Sequence, residues 1–210
     1  TRIVESFGTR LANVLPPTAS SLQRTGREDE LRKLVLSSTR LGVATVLPMS
    51  LVLAILGDPI MILWMGRHYT PGAFLVVLVL GSAGPLALRP VVMILQGLDR
   101  HGRPALATLV AAGTSTLLGL ANASLLHWGL LGAALGIALP MIGLTVFLAW
   151  YACRMFHIRA GELFRESFWP PLLCAAPFAL ILAAGRIAFR DAPAPAIIVG
   201  IVAGGALLLP

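Results

Sequence analysis

Beyond residue 36 the chain is dominated by long apolar runs separated by short polar connectors. Each run approaches the ~20 residues that a helix needs to cross a hydrocarbon core of ~30 Å. The pattern predicts spans at 37–56, 71–95, 104–126, 129–152, 168–186 and 195–210. Pro48, Pro85, Pro90, Pro140 and Pro177 fall inside these runs. In an isolated helix each would remove a hydrogen bond. In a membrane bundle neighbouring groups take up the freed carbonyls, and such bends are common in transporters.

The first 36 residues are the most polar. Ile3, Val4, Phe7, Leu11 and Val14 are spaced as on a helix face, which predicts the end of a preceding span. Pro16 and Pro17 break it. Ser20–Lys33 reads as a solvated loop and helix start, and Thr25, three residues before Glu28, fits a capping box. Two parts follow. Residues 1–36 are the end of a preceding span plus a cytosolic loop and helix. Residues 37–210 are a transmembrane lobe of about six spans.

The connectors are short. Residues 57–70 (GDPIMILWMGRHYT) are amphipathic and predict a short helix lying in the membrane interface. Arginine and lysine set the orientation. Connectors 1–33, 96–103 and 153–167 hold Arg2, Arg10, Arg24, Arg27, Arg32, Lys33, Arg100, Arg103, Arg154, Arg159 and Arg165; the alternate set holds only Arg67, Arg186 and Arg190. The first set is expected on the cytoplasmic side, with 57–70 facing outward. Trp64, Trp128, Trp150 and Trp169 lie near span ends, the pattern of an aromatic belt. Gly132 with Gly136, and Gly200 with Gly204, have the spacing that lets helices approach closely.

Composition agrees with the pattern. Of the 210 residues, 57% are hydrophobic and 12% charged, against ~25% charged in an average soluble domain. That excludes a soluble domain, a disordered chain and a disulfide scaffold. The net charge of +7 would suggest nucleic acid in a soluble protein. Here the basic residues sit between spans, so they orient the chain and meet anionic lipids, and no nucleic-acid partner is expected. Cys153 and Cys174 read as membrane-embedded packing residues. Thr1 is not a methionine and Pro210 falls inside an apolar stretch, so the chain is expected to be the C-terminal part of a longer protein.

Catalytic chemistry is sparse. Asp58, Asp99, Glu162, Glu166 and Asp191 all fall in predicted connectors, so no span carries the buried carboxylate that a proton- or sodium-coupled site uses. His68, His101, His127 and His157 are scattered and form no metal set, so neither a metal nor a cofactor is expected. No nucleophile–base arrangement is legible, and the chain does not read as an enzyme.

Arg89 stands apart. It lies within a predicted span, between Pro85 and Pro90. A charge there costs ~2.5–3.5 kcal/mol on insertion scales, so it faces a bundle interior or an aqueous cavity. Two readings are open: contact with an anionic head group, or snorkelling to the inner interface and structural pairing. Arg40, at the inner end of the first span, is a second candidate for a central cavity. Thr108 and Ser115, two helical turns apart, are expected to line a cavity on one face.

The order of features in residues 11–103 resembles the C-terminal half of the polysaccharide flippases of the multidrug/oligosaccharidyl-lipid/polysaccharide exporter superfamily. Three elements carry the resemblance. A Pro after a span is followed by a charged cytosolic helix. An outward segment holds Leu63-Trp64-Met65-Gly66 and Tyr69. A turn follows with Ile94-Leu95-Gln96-Gly97, Arg100 and Pro104. The resemblance implies an all-α, multi-pass transmembrane bundle, one lobe of a two-lobed transporter in the bacterial inner membrane. It implies flipping of a polyprenyl-pyrophosphate-linked glycan for cell-surface polysaccharide synthesis, with the N-terminal lobe as partner. Arg89 and Arg40 are then the substrate-binding candidates. The alternatives are a cation-coupled multidrug exporter of the same superfamily, or a multi-span membrane glycan polymerase or ligase.

Overall fold

The computed structural model describes residues 15–66, 72–124 and 129–188. They are helical apart from short turns, and no strand occurs among them. Helix α1 covers residues 15–24. It is followed by α2 (Glu28–Met65), α3 (Ala73–Ala87), α4 (Arg89–Gly97), α5 (Gly102–Ser124) and α6 (Gly129–Met155). A last continuous rod consists of α7 (Ala160–Leu163), a π-helical turn (Phe164–Phe168) and α8 (Trp169–Ala188).

Five helical segments are long and apolar enough to cross a membrane: Glu28–Met65, Ala73–Gly97, Gly102–Ser124, Gly129–Met155 and Ala160–Ile187. The outer surface matches. Leu117 is 69% exposed and Leu180 71% exposed, a loss of hydrophobic burial in water but not in lipid. The architecture is that of a multi-pass membrane bundle. The expected preceding span and the sixth span, 195–210, lie outside the described residues.

Local chemistry explains most boundaries, and corrects two expectations. The Thr25–Glu28 capping box does not form. Thr25 Oγ1 donates instead to the carbonyls of Ser21 and Leu22, and α2 starts without a side-chain cap. The chain leaves α1 through Gly26 at φ +66°, and Arg27 N–H bonds back to Leu22 O at 3.1 Å, a Schellman closure that favours glycine. Glu28, Asp29 and Glu30 then face the positive end of α2.

The predicted interfacial helix at 57–70 is the second correction. Through Met65 it is the continuation of α2, which runs unbroken across residues 36–37 as well. At 1.5 Å per residue its 38 residues reach about 57 Å, so it extends well beyond the hydrocarbon. Asp58 therefore sits within this helix and not in a connector. The predicted span 71–95 matches the apolar segment Ala73–Gly97, within which a single-residue turn at Leu88 (φ −88°, ψ 2°) separates α3 from α4. Pro90, in the first turn of α4, has no N–H for the carbonyl four residues back.

Small residues set the helix contacts. A Cβ on Gly136 would lie 2.5 Å from Gly119 N in α5, and one on Gly81 would lie 2.5 Å from Ala138 Cβ in α6. Asn122 Nδ2 donates to Gly132 O at 3.1 Å, so the expected close approach at Gly132 and Gly136 is the α5–α6 contact. Gly97 meets Pro16 in the same way, docking α1 on the end of α4. The main core joins α2, α4 and α6 through Val35, Leu88, Ile94, Leu95, Leu144 and Leu148. A smaller cluster of Leu56, Phe178 and Leu182 joins α2 to α8. Ser167, in the π turn, donates to Leu36 O at 3.0 Å and ties the last rod to α2.

Candidate functional site

The break at Leu88 determines where Arg89 goes. Leu88 is fully buried, while Arg89, the first residue of α4, is exposed. It borders an open groove of about 570 Å³ between α3–α4 and α5–α6. Gln96, His101 and Thr108 supply the other polar wall groups. Leu86, Val92, Leu109, Leu144 and Leu148 make the rest largely apolar. Among the described residues Arg89 has neither an ion-pair nor a hydrogen-bond partner. Thr108 Oγ1 donates to Pro104 O at 2.8 Å, which leaves its oxygen as an acceptor toward the groove. The groove thus offers one fixed cation, a few neutral polar atoms and an apolar bed.

The other candidates separate from Arg89. Arg40 is exposed on α2 and does not line this groove. Thr108 borders the groove, but Ser115 does not. Ser115 is buried and reaches Ile137 O at 3.4 Å, so it joins α5 to α6. His101 and His157 are exposed, and His101 Nδ1 lies 3.6 Å from Asp99. Among the described residues no group of three His, Cys, Asp or Glu could hold a metal ion. Cys153 and Cys174 are free thiols. His68, His127 and Trp128 lie outside the described residues.

Two ion pairs at opposite ends went unseen in the sequence pattern. Arg32 in α2 pairs with Glu162 in α7. At the other end Arg186 Nη2 donates to Asp58 Oδ2 at 2.8 Å, and Nη1 donates to Ile55 O at 2.7 Å. That carbonyl is the one Pro59 leaves without its helical donor. Asp58 Oδ1 also accepts the Gly72 N–H at 3.0 Å. The only available signal was Asp58-Pro59, a proline freeing a carbonyl beside a carboxylate; its partner is 128 residues away.

Comparison with known protein families, with curated proteins and with solved structures finds no match to this chain.

Proposed function

We propose that this chain is one lobe of a two-lobed transporter that moves lipid-linked oligosaccharide or polysaccharide precursors across the bacterial inner membrane. Cell-surface polysaccharide, lipopolysaccharide included, is the product this transport serves. The observation that carries the reading is Arg89, a cation without a partner among the described residues, on the wall of a largely apolar groove.

The physical argument is one of cost. A polyprenyl-pyrophosphate sugar cannot cross hydrocarbon unaided, because stripping its hydrated, charged head is too unfavourable. A guanidinium at membrane depth is itself costly, ~2.5–3.5 kcal/mol. Bringing the two together offsets both costs, and the planar fork of arginine matches two phosphate oxygens at once. The apolar wall suits the prenyl chain. The proline-marked break beside Arg89, and the prolines inside α2, α3, α6 and α8, are bends that lobes rocking about a central site can use. The N-terminal lobe would close the cavity on the other side, and Arg40 is a second, separate contact. A cation-coupled drug exporter needs a free membrane carboxylate. Asp58 does not meet that need, since Arg186 and Gly72 already hold both of its oxygens.

The test is complementation by the complete protein of a bacterial strain lacking its own polyprenyl-linked glycan flippase, with surface glycan as the readout. The complete protein restores glycan. Arg89→Ala lowers it about tenfold or more, the factor set by a charge-assisted hydrogen bond of ~1.5–3 kcal/mol. Arg89→Lys keeps part of it. Full restoration by Arg89→Ala at equal membrane abundance overturns the role of Arg89. Failure to restore, together with resistance to cationic dyes, overturns the flippase in favour of the drug exporter.

A further inference from the structure

At the end of the bundle that carries most of the basic residues, the first turn of α5 meets the last turn of α6. There Arg100, Gly102, Arg103, Tyr151, Arg154 and Met155 enclose an open cleft of about 440 Å³. None of the three arginines has a carboxylate partner among the described residues. Of the carboxylates nearby, Asp99 lies beside His101, Glu162 pairs with Arg32, and Glu28 lines an adjoining hollow that shares Arg100 and Met155 with the cleft but makes no ion pair with Arg100.

Each wall contributes a donor. The Arg154 guanidinium lies 5.5 Å from the centre of the exposed Trp150 ring, a cation–π contact that fixes the head and leaves its N–H edge free. The Tyr151 hydroxyl has no hydrogen-bond partner among the described residues. Gly102 opens α5, and nothing lies within 4 Å of where its Cβ would be, so the first-turn backbone is open to a ligand. Only Gly102 and Arg103 can offer a free N–H there, because Pro104 has none and the Ala105 N–H donates to His101 O at 2.9 Å; the helix dipole adds positive charge. Arg154 alone would be accounted for as a cation on the last carbonyls of α6. Three guanidiniums, a free phenol and a helix start around one cleft are not.

We infer that this cleft binds a phosphate group carried by an anionic lipid of the adjoining leaflet. The charged groups of the wall are all cationic and no carboxylate lines it, which favours a phosphate on a lipid of net negative charge over one in a zwitterionic head group. The lipid has a path for its chain. Tyr151 and Met155 continue the α6 face that Leu144 and Leu148 present to the groove beside Arg89, at spacings of three and four residues. The chain would lie along that seam while the phosphate stays at the surface. The inference stands independently of the transport reading, because it needs only the membrane and the cleft.

The test uses the protein in nanodiscs of neutral phosphatidylcholine, titrated with phosphatidylglycerol and followed by native mass spectrometry. One phosphatidylglycerol per chain is expected, with an apparent Kd raised about tenfold or more by Arg103→Gln/Arg154→Gln. Arg103→Lys/Arg154→Lys, which keeps the charge and loses the fork, falls between and guards against a folding defect. A charge-matched control on exposed residues outside the cleft, Arg24→Gln/Lys33→Gln, stays within twofold. An equal loss in the control, or none in the cleft variant, overturns the site. A second arm adds millimolar inorganic phosphate. Lipid that persists assigns the phosphate to the membrane. Lipid displaced with the same arginine dependence assigns it to a free anion and overturns the lipid part.

Discussion

Pro59 cannot donate to the carbonyl of Ile55, and Arg186 takes the place of the missing N–H while its second nitrogen holds Asp58. One side chain thereby satisfies a proline defect and a carboxylate together. Its removal and that of Asp58 should differ. Arg186→Ala strands a carbonyl and a charge, and it should cost ~1–3 kcal/mol. Asp58→Asn keeps an oxygen for Gly72 or Arg186, and it should cost less than about 1 kcal/mol. Thermal unfolding in detergent checks the order. Equal effects would show that the guanidinium contributes nothing beyond the ion pair. Both residues are visible in the chain, but their pairing is not, because it depends on where α8 lands against α2.

Among the elements, α6 packs through its glycines. Gly136→Ala would place a Cβ 2.5 Å from backbone atoms of α5, which cannot rotate away. It should lower stability by ~1–3 kcal/mol, the range for overpacking. Gly143→Ala, on the same helix, meets nothing within 4 Å. It should be neutral or stabilising by up to ~1 kcal/mol through helix propensity. Paired melting curves of the two variants check this contrast. A destabilising Gly143→Ala would mean that this face is covered by something besides lipid. The apolar runs made these helices legible to within a few residues for α5 and α6, whose expected spans were 104–126 and 129–152. They were less informative for α2. Its polar start and amphipathic end look like separate pieces, because hydropathy reads the medium each turn meets and not the continuity of the backbone. The break at Leu88 was marked by Pro85 and Pro90, yet only the packed structure shows that it turns Leu88 inward and Arg89 outward.

For the whole molecule, the basic connectors gather at one end. The α1–α2 turn, the α4–α5 turn and the end of α6 meet there around Gln23, Leu98, Arg100 and His157. Excess arginine and lysine should hold that end in the cytoplasm. In a background of Cys153→Ser and Cys174→Ala, a membrane-impermeant maleimide applied to intact cells should label Met65→Cys. It should reach Thr25→Cys only after permeabilisation. The opposite pattern would invert the orientation and place the arginine cleft in the outer leaflet. The position of Arg89 in a groove was partly legible, since a charge inside an apolar run has few stable destinations. Its separation from Arg40 was not, because the two lie on different helices whose rotation about their own axes is set by packing.

By itself the sequence determined that this chain is helical, apolar, multi-pass and basic at alternate connectors. These properties follow from rules that act within one segment: every backbone group must be satisfied inside lipid, and charge must stay near water. Tertiary structure alone decided which groups meet across the bundle. It joined Arg186 to Ile55 and Asp58, Ser167 to Leu36, and Arg100 and Arg103 to Tyr151 and Arg154. Those meetings depend on helix rotation and on close glycine contacts between distant segments, and no local pattern encodes them.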